Sequence, residues 1–298
     1  MYLLQQLANA LPVAALYAVL AFGYAIAFGV TRRVDLTYGA LFAFAGQIFV
    51  LFADVGWNRL WLVLPACLAL GAACSLAYTA GAGLLVGRVV MARLLSASPN
   101  AVIVAGLGVS LVLMETARLA AKTRSLWLPP FLNAPVTLWS ERAADVSLTL
   151  IQLGNIAVML AIVGLGALVL RFGRAGRLWR AVHDDPRAAE LCGVDARSVF
   201  LGAYLVATLI AAVSGILATS YYGNMDFGAG LLFGLKVVMI AGIGGAGHPL
   251  RAAAGAALLG LAETLWSAFG PMAWRDPFVL TLLIVIIVVA GRGDRPVP

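Results

Sequence analysis

Lys236 and Glu263 stand in stretches that are otherwise almost free of charge. Opposite charges at such places suit ion pairing, either as a clamp between helices or as a coupling site on a transport path. A second pair, Glu115 and Arg118, is spaced by three, which puts both on one helix face and suits a structural pairing. An unpaired charge at the centre of a membrane helix costs roughly 2.5–3.5 kcal/mol or more, so each of the four needs a partner. No other reactive set emerges. HExxH, GxSxG and P-loop patterns are missing from the sequence. His183 and His248 are the two histidines, and no metal-ligand spacing joins them to the cysteines. Asp184 and Asp185 read as helix-start chemistry rather than as a catalytic pair. The sequence names no catalytic residue, metal or cofactor, and an integral membrane enzyme is disfavoured.

The elements that must position these residues are apolar. Of the residues 63% are hydrophobic and 11% charged, where a soluble domain carries about 25% charged residues. Mean hydropathy is +0.99. Leu11 to Val30 runs without a charge, long enough to cross a bilayer of roughly 30 Å. We therefore expect an all-α polytopic membrane protein with about eight or nine segments. Spans are expected near 8–30, 36–53, 60–87, 101–121, 147–170 and 199–221. Three further apolar segments follow near 227–247, 252–274 and 277–291. The first run lacks the basic start and cleavage site of a secretory signal and reads as a retained helix. Cys67 and Cys74 are seven apart on one helix, too far to bond, and Cys192 falls in a cytoplasmic loop. The net charge of +7 comes from loop arginines and does not indicate a nucleic-acid partner.

The polar exception is Arg171 to Arg197, where ten of 27 residues are charged and six are arginine. Such an island belongs in water, on the cytoplasmic side. Within it Asp185 can cap a helix, Pro186 suits its first position and Gly193 can close it. Ala188, Leu191 and Cys192 share one face by spacing. The element is shaped either to dock into a groove on a soluble partner or simply to anchor topology. With the N-terminus outside, thirteen Lys/Arg residues fall in inner loops and five in outer loops. That asymmetry favours a cytoplasmic C-terminus.

The 32 glycines suit close helix packing. Gly244-Gly245-Ala246-Gly247-His248-Pro249 is too glycine-rich for regular helix and reads as a turn or as a broken or re-entrant helix beside a pathway. A weak internal repeat relates Val34 to Ala40 with Asn224 to Gly230, each opening an apolar segment after an aspartate.

Taken together, these stretches resemble the permease subunits of branched-chain amino-acid ABC importers, the LivH-like family. The match rests on Leu16 to Tyr24, the island with Gly173-Arg-Ala-Gly-Arg177 and Leu191 to Asp195, Gly234-Leu-Lys236 leading to Gly242 to Gly247, and Gly260-Leu-Ala-Glu263. The chain departs from the family's pattern at Asp35-Leu-Thr-Tyr-Gly-Ala40, where a His and a Glu are usual, and at His248-Pro249. The resemblance implies one transmembrane permease domain over 1–298 in a bacterial inner membrane, with a coupling loop at about 171–198. Its coupling-helix residues would be Asp185, Pro186, Ala188, Ala189, Leu191, Cys192 and Gly193. Pathway residues would be Asp35, Tyr38, Gly39, Lys236, Gly244, Gly245, Gly247 and Glu263. Implied partners are a second homologous permease subunit, two cytoplasmic ATPase subunits, an external solute-binding protein and the lipid bilayer. The competing expectation is a secondary transporter working alone through Lys236 and Glu263.

Overall fold

A computed structural model describes residues 2–94, 98–141, 144–244 and 248–290. Seven of its helices are long and apolar enough to cross a membrane. They begin with α1 (Tyr2–Thr31) and α2 (Thr37–Asn58). Next, α3 (Leu64–Leu85) continues through a π-helical turn, Val86–Met91, into the short α4 (Ala92–Leu94). The third span therefore ends later than expected. Helix α5 (Pro99–Ala120) starts where Ser98 accepts from the Ala101 amide. After the hairpin β1 (Pro135–Glu141) and β2 (Ala144–Thr149) comes α6 (Leu150–Phe172), opened by a capping box of Thr149 and Gln152. Two short polar helices, α7 (Arg174–Asp184) and α8 (Pro186–Leu191), precede α9 (Ala196–Tyr222). The chain finishes with α10 (Ala229–Gly244), α11 (Pro249–Phe269) and α12 (Arg275–Ala290). Helices α10 and α12 have 16 residues each, about 24 Å at 1.5 Å per residue.

The described residues are helical as expected, apart from one short hairpin. It occupies the polar connection between α5 and α6, pairing Val136 with Leu148 and Thr137 with Ser147. Val146 and Leu148 alternate on the strand and bury against Ala8, Leu153 and Ile156, the period-2 pattern of a half-buried sheet. Gln5 grips its edge: Nε2 donates to the Ser147 carbonyl at 3.0 Å, and Oε1 accepts from the Ser147 amide at 3.1 Å.

Helix α1 is the hub, buried along most of its length. Its neighbours approach closely because small residues meet. A Cβ on Gly260 would lie 2.7 Å from the Ala14 Cα, and one on Gly71 would lie 2.6 Å from the Phe49 carbonyl oxygen. The glycines thus act as contact points between backbones, as expected for membrane helices.

Candidate functional site

The polar element that ends in α8 is built as its local residues dictate. The Asp185 carboxylate accepts from the Arg187 amide at 2.8 Å and the Ala188 amide at 3.2 Å, Pro186 opens α8, and Gly193 closes it at φ +83°. Leu191 is 90% exposed, and Ala188 and Cys192 are exposed with it. Ala189 is buried and does not face outward. It seats α8 on the body, so α8 presents Leu191 while Ala189 holds it down.

Arg174 to Asp184, in the basic first half of the charged island, forms a helix of its own. Gly176, Trp179 and Val182 recur every three residues and are buried. That spacing is the signal which charge density conceals. Trp179 donates from Nε1 to the Ile26 carbonyl at 2.9 Å, and the His183 ring nitrogen Nδ1 lies 2.6 Å from the Gly29 carbonyl. Arg32 donates back to the His183 carbonyl at 2.6 Å. The His183 contact falls on Gly29, among the last four carbonyls of α1 that lack an intrahelical partner, while Trp179 adds a second bond to a carbonyl already inside the helix.

Asp35 sits just before α2. It accepts from the Thr37 amide at 2.8 Å, from the Thr37 hydroxyl, and from the Tyr204 hydroxyl at 3.0 Å, while its own amide donates to Tyr24 at 3.1 Å. Burial pushes its carboxyl above the ordinary aspartate range, and the Thr37 and Tyr204 hydrogen bonds pull it back. Tyr38 is buried beside it, its hydroxyl without a partner among the described residues. Gly39 lies on the α10 backbone: a Cβ there would fall on the Gly230 carbonyl oxygen and 2.6 Å from the Gly234 amide nitrogen.

Lys236 and Glu263 form a buried ion pair at 3.0 Å. Three partners invisible in the sequence complete it. The Tyr17 hydroxyl donates to Glu263 at 2.8 Å, Asp276 meets Lys236 at 3.0 Å, and Arg275 lies 3.6 Å from both carboxylates. Two cations and two anions balance, drawn from α10, α11 and α12, with Tyr17 from α1. Glu115 and Arg118 also pair, at 3.3 Å, on a half-exposed face of α5. Gly244 ends α10, whereas Gly245 and Gly247 lie outside the described residues.

Residues 6–288 match the family described as "Branched-chain amino acid transport system / permease component". The chain belongs to this permease family. Relatives include the "High-affinity branched-chain amino acid transport system permease protein LivH" of Salmonella typhimurium, 26% identical over 99% of this chain and 97% of its own. BraD of Pseudomonas aeruginosa, named for the same type of system, is 26% identical over 97% of this chain and 94% of its own. The "Fructose import permease protein FrcC" of Rhizobium meliloti is 30% identical over 48% of this chain and 41% of its own. No solved structure matches. As a permease of the ABC importer type, the chain is a transport component, and the expectation of a self-powered secondary carrier is set aside.

Proposed function

We propose that this permease forms the path for branched-chain amino acids or related small polar solutes across a bacterial inner membrane. It pairs with a second homologous permease subunit. Two ATPase subunits each receive the α8 of one permease in the cytoplasm, and an external solute-binding protein delivers the cargo. The N-terminus lies outside and the C-terminus in the cytoplasm, following the arginine asymmetry. Residues 171–198 are the coupling loop.

The observation that carries this reading is the outward presentation of Leu191 on a capped, well-seated helix. An apolar side chain held this open suits a groove on a soluble partner. Replacing Leu191 by aspartate is expected to cut transport about tenfold, equivalent to about 1.4 kcal/mol of lost coupling. The permease should still fold, because its own chain leaves Leu191 uncovered, and ATP hydrolysis should persist, because the nucleotide sites belong to the ATPase subunits. Transport at full rate in this variant, measured in vesicles holding the whole importer, would end the docking assignment.

Asp35, Tyr38, Gly39, Lys236, Gly244 and Glu263 set the helices that flank the path. The weak internal repeat gains support from geometry. Asp35 and Asp226 each accept from the amide two residues on, Thr37 and Gly228. Gly39 and Gly230, each four residues after its aspartate, meet reciprocally: a Cβ on Gly230 would lie 2.7 Å from the Gly39 carbonyl. Together with the short α10 and α12, this supports eight or nine membrane segments, some of them partial.

A further inference from the structure

Two adjoining cavities lie between α2, α5 and the segment leading into α10. The inner one, about 260 Å³, is lined chiefly by apolar groups, among them Phe44, Leu107, Leu111, Met114, Phe227 and Leu231. The outer one carries Arg124, Asn224 and Asp226. Gln47 and Phe227 border both. Gln47 is 9% exposed, its Nε2 donates to the Asp226 carbonyl at 3.3 Å, and its Oε1 has no partner among the described residues. A buried amide oxygen without a partner costs free energy that a ligand's donor can recover.

We infer that these chambers form a binding station for a zwitterionic aliphatic amino acid. This rests on the proposed function and narrows it. The inner chamber takes the branched side chain. Above it, Arg124 faces the carboxylate and Asp226 the ammonium group, and the Gln47 amide bridges head and tail. Its volume lies below the range of drug-sized pockets, about 300–1,000 Å³, and suits a solute of a few carbons. Urea and short amides have neither the two charges nor the tail that this layout matches. Leu107, Leu111 and Leu231 on the rim are also exposed, so this chain leaves the station open on that side.

The test is ATP-driven uptake by the complete importer with its own binding protein, using leucine, valine, alanine, urea and acetamide. The binding protein is the same throughout, so changes in relative rates belong to this chain. Leu111→Trp narrows the inner chamber from an exposed position and so spares folding. It should lower leucine uptake about tenfold and alanine uptake far less, as expected of crowding in a hydrophobic pocket. Arg124→Gln should raise the KM for amino acids about tenfold and leave any uncharged solute unaltered. Met114→Ala, which enlarges the chamber, should raise leucine uptake relative to alanine. An importer that carries amino acids at unchanged relative rates in all three variants overturns the station and leaves the proposed function standing. An importer that carries urea or acetamide and no amino acid overturns the station. One with no ATP-driven uptake of any of the five overturns both.

Discussion

Lys236→Met is expected to destabilise the bundle by about 3 kcal/mol, the low end of what breaking a buried ion pair costs. The variant leaves the Glu263 carboxylate buried with Tyr17 at 2.8 Å and Arg275 at 3.6 Å, and Asp276 with Arg275 alone. Arg275 must then serve two anions, which is why the loss is not larger. Thermal melting of the purified protein in detergent measures it. The double variant Lys236→Met with Glu263→Gln removes one charge of each sign and should recover most of the lost stability, because no uncompensated charge remains buried. That double variant also separates two roles. If it transports, the cluster is a clamp joining α1, α10, α11 and α12. If it melts normally and carries nothing, the charges act on the path itself.

The second large effect belongs to Gly39→Ala. The added methyl would meet the Gly230 carbonyl and the Gly234 backbone. Backbone atoms cannot swing aside as a flexible side chain can, so the crossing of α2 over α10 must open. We expect a loss towards the upper end of the roughly 1–3 kcal/mol typical of overpacking, read as a lowered melting temperature. Gly81→Ala is the control, since a Cβ there meets nothing within 4 Å. It should be neutral or stabilising through helix propensity. Equal losses at both positions would refute the contact argument.

Legibility followed the range of the interaction. The ends of α8 can be read from sequence because Asp185, Pro186 and Gly193 act within a few residues of one another. The Lys236–Glu263 pair can be read because apolar surroundings leave each charge one plausible partner. Tyr17 and Arg275 cannot, since nothing local marks a tyrosine as the one whose hydroxyl reaches a carboxylate 246 residues away. Helix α7 hides its buried stripe of Gly176, Trp179 and Val182 among arginines. The hairpin hides because its connection looks polar and its strands are short. The inward turn of Ala189 reflects how α8 rests on its neighbours, which spacing on so short a helix does not determine. Family membership, by contrast, follows from motifs spread over nearly the whole chain, and the match over residues 6–288 bears it out.

Helix α1 is held at both ends by side chains bonded to backbone: Gln5 to the hairpin at one, Trp179 and His183 of α7 to its carbonyls at the other. Between these grips it carries Tyr17, bonded into the ionic cluster. So anchored, α1 is the element that joins the hairpin, the ionic cluster and α7 in a single run of backbone, interrupted in its hydrogen-bond ladder at Pro12.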